Sequence, residues 1–180
     1  MHDREAQLQR LAELIDDVHV AMFTTVAEDG RLVSRPLGTC KPERFDGRLW
    51  FVTSVDSPKV RELERNPLVN VAYASRSKNV YVSVSGHARV VDDRAQLERL
   101  WAPAMKVFFP EGKDDPGLRL ICVDVESAEY WDGPGTWAGK ALYFVVAAVT
   151  GEATALADNQ LIDLQRGQSG PPPSQARPGL

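Results

Sequence analysis

The segment from Val80 to Val91 alternates strictly between apolar and polar side chains, and this pattern constrains the fold more than any other in the chain. Valine, alanine or glycine stands at each even position, whereas tyrosine, serine, histidine or arginine stands at each odd position up to Arg89. Successive side chains of a β-strand point to opposite faces. A period of two therefore predicts a strand that is buried on one face.

Five further segments are rich in β-branched and aromatic residues and are separated mostly by tight turns. The predicted strands are Val18–Ala27, Leu32–Cys40, Leu49–Thr53, Val69–Ala74, Val80–Val91 and Leu118–Val125, with a short final strand at Asn159–Leu164. Helices are predicted at Asp3–Asp17, Lys59–Arg65 and Arg94–Trp101, with a further helix at Thr136–Thr150. This order favours a mainly β fold, an antiparallel barrel with peripheral helices, over the competing two-layer α+β sheet.

Composition narrows the class of protein. The chain has 180 residues, which predicts one domain over residues 1–164, followed by a Pro-rich flexible tail over residues 165–180. A net charge of -4 argues against a nucleic-acid surface. No apolar run reaches the roughly 18–20 residues of a membrane span, and the charged N-terminus lacks an apolar signal region, so we expect a cytoplasmic protein without a membrane partner. The spacing of Cys40, Cys122 and the histidines argues against a metal site.

The segment Leu49–Val60 predicts an anion pocket. An apolar run ends at Thr53-Ser54, Ser57-Pro58 then opens a helix, and Lys59 falls in its first turn. Hydroxyl groups, free backbone N–H groups and one ammonium at a helix N-terminus suit a phosphate, and the phosphate of a cofactor is the expected ligand. The alternative is that Ser57 only caps the helix, Pro58 only starts it, and Lys59 is an exposed helix lysine.

Arg35 is the second candidate, because it shares a strand face with the apolar residues Val33 and Leu37. A guanidinium on such a face needs an anionic or carbonyl partner, unless the strand lies at an edge and the side chain reaches solvent. Pro36 cannot donate to a strand ladder, so it disturbs pairing and leaves nearby backbone groups for a ligand.

The order of these features resembles the flavin-binding split barrel of the pyridoxamine-phosphate-oxidase-like family. The resemblance rests on the arginine-bearing strand, on Trp50–Lys59, on Glu62–Val69 and on Val82–Ala88. Leu100-Trp101, Phe109–Pro116 and Ala128–Asp132 resemble the general stress protein branch in particular. The resemblance covers roughly Arg4 to Leu164 and implies a six-stranded antiparallel split β-barrel that binds FMN, or alternatively FAD, at the interface of a homodimer.

The resemblance also implies a role for each candidate residue. Lys59 and Ser57 would hold the phosphate, and Thr53 and Ser54 would supply hydroxyls and backbone donors near the phosphate or ribityl chain. Arg35 would face the phosphate or the polar edge of the ring. The backbones of Pro36, Leu37, Phe51 and Val52 would line the isoalloxazine, and Tyr81 and Trp101 of the partner chain would cover it.

Three departures from the family pattern limit the function. Pro58 replaces an arginine that many of these oxidases carry, which implies a modest grip on FMN, and Val52 replaces a tyrosine. The chain has no Trp or His after Trp137, and its only arginines there are Arg166 and Arg177. True oxidases hold pyridoxal phosphate with Trp, Arg and His in this region, so the resemblance argues against that activity.

Several functions stay open at this point. No residue of the sequence stands out as an essential acid or base. The chain is either a flavin-dependent oxidoreductase of unknown substrate or a non-catalytic flavin-binding module of the stress response. The same fold with a deazaflavin or haem is a further alternative, and His19 or His87 would then be the axial ligand of the haem. His87 is otherwise expected to be a plain surface or hydrogen-bonded histidine.

Overall fold

A computed structural model describes residues 2–16, 18–132, 158–163 and 168–170. The chain forms two compact units. The central unit comprises His19–Val71 and Ser85–Glu126, and the terminal unit comprises Met1–Val18, Ala72–Val84 and Ser127–Leu180. The candidate phosphate residues all lie in the central unit.

The strand order closes a six-stranded antiparallel barrel. In the described residues, the strands are β1 (Val20–Val26), β2 (Leu32–Cys40), β3 (Arg48–Ser54), β4 (Leu68–Ser75), β5 (Val80–Val91), β6 (Leu118–Asp132), β7 (Asp158–Asp163) and β8 (Gln168–Gly170). The helices are α1 (His2–Ile15), α2 (Pro58–Arg65) and α3 (Arg94–Leu100), followed by a 3-10 helix at Pro103–Val107. The order is β3-β2-β1-β4-β5-β6-β7-β8, and β3 also pairs with β6. The predicted barrel is therefore confirmed, and the two-layer sheet is wrong.

The structure agrees with most predicted elements and differs at the C-terminal side. Burial along β5 follows the predicted alternation, because Val80, Val82 and Val84 are buried whereas Tyr81 and His87 are exposed. The sequence did not predict β8, whose three residues carry no apolar pattern. The helix predicted at Thr136–Thr150 and the rest of the tail lie outside the described residues. The domain boundary at residue 164 stays a prediction.

The first hairpin and the third strand separate in the central unit, and this separation positions the candidate site. β1 and β2 pair from Val20–Gly38 to Val26–Leu32. Within the described ranges, β2 pairs with β3 only at Thr39–Phe51 and Cys40–Trp50. β3 instead pairs with β6 along its whole length, from Arg48–Asp124 to Ser54–Leu118. A split therefore opens between β2 before Thr39 and β3 after Phe51.

Apolar packing in the central unit holds both sides of this split. Phe23 of β1 and Phe51 of β3 are fully buried and meet edge to face with ring centroids 5.1 Å apart. A second cluster joins strand residues to the buried face of α3, and its members are Cys40, Trp50, Val52, Leu97, Leu100, Leu118, Leu120 and Cys122. This close packing fixes the positions of the strands on both sides of the split.

In the terminal unit, α1 buries one apolar face through Leu11, Leu14 and Ile15, as its spacing predicted. Among the described residues, the helices are too short or too polar to cross a membrane.

Candidate functional site

The end of β3 and the start of α2 bring three of the predicted phosphate residues into direct contact. The Lys59 ammonium donates hydrogen bonds to the Thr53 hydroxyl at 3.1 Å and to the Ser57 hydroxyl at 2.5 Å. The backbone N–H of Ser57 donates to the carbonyl of Ser54 at 3.1 Å, which closes the turn between the strand and the helix. Thr53 is 2% exposed, so the hydroxyl that accepts from Lys59 belongs to a buried residue.

The N-terminus of α2 has no capping side chain. Ser57 occupies the N-cap position with extended backbone angles, but its side chain makes no capping hydrogen bond. Its hydroxyl is turned to Lys59 instead. Pro58 follows at the first turn and contributes no N–H group. The Val60 N–H of the first turn donates to the carbonyl of Ser57 at 2.9 Å. Backbone N–H groups at a helix start of this kind are the ones that bind anions.

Lys59 is a half-buried ammonium whose bonding partners here are hydroxyls. Burial lowers the pKa of Lys59, and the positive charge of Arg35 lowers it further, while the Glu62 carboxylate acts in the opposite sense. A partly desolvated cation gains more from a bound anion than a fully hydrated one. Lys59 is therefore suited to a phosphate, and its interpretation as an exposed helix lysine is wrong.

Arg35 has an anionic partner within the protein. Its guanidinium donates to Glu62 Oε1 at 2.7 Å and to the hydroxyl of Thr25 at 2.8 Å. The Thr25 hydroxyl in turn donates to Glu62 Oε2 at 2.6 Å, which closes a cycle of three side chains. The side chains of Arg35 and Glu62 are 25% and 13% exposed. The predicted need for an anionic partner is confirmed, and the solvent-exposed alternative is wrong.

This cycle stabilises the ionised form of the Glu62 carboxyl group. Burial alone would raise the pKa of Glu62, but hydrogen bonds from Arg35 and Thr25 and the positive charges of Arg35 and Lys59 outweigh burial and lower the pKa. Glu62 is therefore ionised at neutral pH, and the pair that it forms with Arg35 has no net charge.

The sequence did not single out Thr25 or Glu62 as members of the site. Glu62 follows Lys59 by three residues, a spacing that places both side chains on one face of a helix. This spacing was the available signal. Thr25 is a fully buried threonine on a strand, opposite Val33 in the register of β1 and β2, and its role follows only from that pairing.

The other residues predicted to contact a flavin lie on several elements outside the cluster of Lys59, Thr53 and Ser57. Pro36 and Leu37 lie on β2 within the split, and Val52 is the first residue of β3 beyond the last β2–β3 pair, which includes Phe51. Trp101 ends α3 and packs at a tilt against Phe109, with centroids 6.4 Å apart. Tyr81 belongs to the terminal unit and is 44% exposed. The roles of all these residues toward a flavin stay predictions.

His87 lies on the exposed face of β5, where its Nδ1 atom is 2.6 Å from the Glu126 carboxylate. The expectation of a hydrogen-bonded surface histidine is confirmed.

Residues 6–155 match the family model described as pyridoxamine 5'-phosphate oxidase like. The chain belongs to the pyridoxamine 5'-phosphate oxidase-like family. This membership confirms the family that the sequence motifs indicated.

Individual relatives of this chain are distant in sequence. Protein bli-3 of Neurospora crassa is 26% identical over 156 residues, which cover 82% of this chain and 75% of that protein. The general stress FMN/FAD binding protein of Xanthomonas citri is 28% identical, with a TM-score of 0.61, and the match covers 71% of this chain and 89% of that one.

A third relative shows that the fold is shared over nearly the whole chain. A protein of Clostridium acetobutylicum related to general stress protein 26 of B. subtilis is 19% identical, with a TM-score of 0.66, and the match covers 91% of this chain and 99% of that one. The split-barrel fold is thereby confirmed.

Proposed function

We propose that this chain is an FMN-binding protein of the general stress protein type, and that Lys59 holds the phosphate of the flavin. The observation that carries the proposal is the convergence of the Lys59 ammonium with the hydroxyls of Thr53 and Ser57 at an uncapped helix start. The Xanthomonas citri relative, described as an FMN/FAD binding protein, supports the flavin as the ligand class.

The residues around this point fit the parts of an FMN molecule. A phosphate would accept hydrogen bonds from the Lys59 ammonium and the Ser57 hydroxyl, next to the N-terminus of α2. The isoalloxazine would lie along the split, against the backbones of Pro36, Leu37 and Val52. FAD carries a second phosphate and an adenosine beyond the phosphate that it shares with FMN. Binding of FAD would therefore need additional space outside the pocket formed by Lys59 and Ser57.

A bound flavin would supply hydride or single-electron chemistry, and the protein would bind and orient the ring. The charged groups of the site are engaged in positioning, because Lys59 bridges two hydroxyls and Glu62 is bonded to Arg35 and Thr25. We therefore propose an oxidoreductase of unknown substrate in which the flavin does the chemistry. The absence of Trp and His from residues 138–180 argues against a true pyridoxamine phosphate oxidase.

The visible spectrum of the purified protein, before and after titration with FMN, tests the proposal. Flavin bands or saturable FMN binding support it, whereas a haem Soret band supports the haem alternative. A protein that is colourless and does not bind added FMN would refute the flavin function. Turnover of reduced nicotinamide by the flavin-loaded protein then distinguishes an oxidoreductase from a non-catalytic flavin-binding module.

The variant Lys59→Ala tests the phosphate site directly. It removes a charge-assisted hydrogen bond, so FMN binding should weaken by about 1.5–3 kcal/mol. Lys106→Ala is the matched control, because Lys106 is an exposed lysine on the 3-10 helix of the central unit. Equal affinity of the two variants for FMN would show that Lys59 does not hold the phosphate.

We also propose a homodimer that pairs through the outer face of the β1–β2 hairpin. Val20, Met22 and Leu32 on this face are 54%, 44% and 74% exposed, and Met22 lies opposite Pro36 in the register. Exposed apolar residues on one face of a sheet, here on either side of the hydrogen-bonded pair Thr24–Ser34, are typical of an interaction surface. A flavin in the neighbouring split would then be covered by the partner chain.

Light scattering coupled to gel filtration measures this assembly. Met22→Lys should shift the protein from dimer to monomer, because it places a charge in the proposed interface. Val107→Lys is the control, since Val107 is 79% exposed on the 3-10 helix, away from the hairpin in sequence. A monomeric wild-type protein would refute the proposal. The cytoplasmic location stays a prediction, which cell fractionation tests.

A further inference from the structure

The hydrogen-bonded cycle of Arg35, Thr25 and Glu62 links three elements of the central unit. Thr25 comes from β1, Arg35 from β2 and Glu62 from α2. Each side chain bonds to the other two, at 2.6 to 2.8 Å. Because Thr25 is fully buried and the other two side chains are largely buried, solvent competes weakly for these bonds.

The cycle lies close enough to the phosphate site to act on its charge. Lys59 and Glu62 share a face of α2, and both members of the Arg35–Glu62 pair act electrostatically on the ammonium of Lys59. The two contributions are opposite in sign. An anion bound at Lys59 would therefore experience Arg35 and Glu62 as a pair with little net charge.

Rotation of Arg35 toward a bound phosphate would be costly. Glu62, whose side chain is 13% exposed, would lose its guanidinium partner and remain as a largely buried carboxylate near a second anion. An uncompensated buried charge of this kind is strongly unfavourable. Arg35 should therefore keep its bonds to Glu62 and Thr25 when the ligand binds.

We infer that Glu62 limits the preference of the site for phosphorylated flavin, by holding Arg35 on β2 and cancelling its charge. The inference rests on the proposed function, and it assigns Glu62 a positioning role that acts through Arg35. In this inference Arg35 does not contact the phosphate, as the family resemblance implied, but acts on it only through its charge, which Glu62 cancels. The site would then distinguish FMN from riboflavin, the same flavin without the phosphate, mainly through Lys59 and the start of α2.

The variant Glu62→Gln separates this role from a structural one. Glutamine keeps the length of the side chain and a carbonyl oxygen that can accept from Arg35, but it removes the negative charge. The charge of Arg35 is then no longer cancelled, and the ratio of riboflavin Kd to FMN Kd should rise by about tenfold at low salt. Damage to the fold would weaken binding of both flavins and leave this ratio unchanged.

Glu64→Gln is the matched control, because it removes one negative charge from an exposed position of the same helix. Its effect on the ratio should be less than about twofold, since exposed charges are screened by solvent and salt. The rise caused by Glu62→Gln should shrink as the salt concentration is raised.

The variants Arg35→Met and Arg35→Met/Glu62→Gln decide between the indirect role of Arg35 and a direct contact. Arg35→Met leaves the Glu62 charge uncancelled, so the ratio should fall. The double variant removes both charges, so the ratio should return to within about twofold of the wild-type value. A direct contact between Arg35 and the phosphate predicts instead that the double variant stays well below wild type. This pair of variants also provides the test if Glu62→Gln alone does not fold.

The full-length protein is titrated with FMN and with riboflavin by calorimetry or by quenching of flavin fluorescence. A ratio that is unchanged or lower in Glu62→Gln, or a low ratio in the double variant, would overturn the inference while the proposed function stands. Failure of the wild-type protein to bind either flavin would instead refute the proposed function, and the inference with it.

Discussion

Gly86 should accept no side chain without a shift of the backbone. It lies on the buried face of β5, and a Cβ atom built on it would come 2.2 Å from the carbonyl oxygen of Asp124 and 3.3 Å from the Cα atom of Val125. Both neighbours are backbone atoms of β6, so no side-chain rotation can relieve the overlap. The two strands would have to separate by about 1 Å, and overpacking of this kind typically costs about 1–3 kcal/mol. Gly86→Ala should therefore lower the free energy of unfolding by an amount in this range.

Gly38→Ala is the matched control within the same sheet. The Cβ atom of an alanine at Gly38 would have the carbonyl oxygen of His19 as its nearest neighbour, at 4.0 Å. This substitution should be neutral or stabilise the protein by up to about 1 kcal/mol, because it only restricts the unfolded chain. Urea denaturation followed by tryptophan fluorescence measures both variants. Equal stability of Gly86→Ala and wild type, or equal losses in the two variants, would refute the reasoning.

Two further predictions follow from groups with shifted pKa values. The pKa of Glu62 is lowered in the folded state, so its ionisation contributes stability that is complete above pH 4.5, the ordinary value, and is lost as pH falls through the lower folded value. Acid titration of the free energy of unfolding should thus show the wild-type advantage over Glu62→Gln shrinking below pH 4.5, and a difference independent of pH would contradict this. Burial raises the pKa of Cys40 to about 12 and that of Cys122 to about 11. Iodoacetamide at neutral pH should therefore label these thiols only after unfolding, as mass spectrometry can measure, and rapid labelling of the folded protein would speak against their burial.

Much of the barrel could be predicted because its strands carry local signals. The alternation over Val80–Val91 and the β-rich segments Val18–Ala27 and Leu32–Cys40 each report on a few neighbouring residues, and the structure has the corresponding strand and hairpin. β8 had no such signal, since Gln168–Gly170 pairs with β7 through backbone groups that any residue supplies.

The candidate phosphate site was only partly predictable. Hydroxyl groups and a lysine at a strand–helix junction are close in sequence, so their contact follows from local geometry, as Lys59, Ser57 and Thr53 demonstrate. The sequence also required an anionic partner for Arg35, because a guanidinium on an apolar strand face cannot remain unpaired. It could not say whether that partner was a ligand or a residue of the chain.

Tertiary structure alone decided that question. Glu62 follows Arg35 by 27 residues, and the two meet only because α2 packs where β1 and β2 pair. Local periodicity and turn chemistry act over a few residues, and they determined most strands, the helix starts and the candidate anion pocket. The choice of partner for a buried charge depends on which distant side chains share its low-dielectric surroundings, and the closed cycle of Thr25, Arg35 and Glu62 exists only in the assembled barrel.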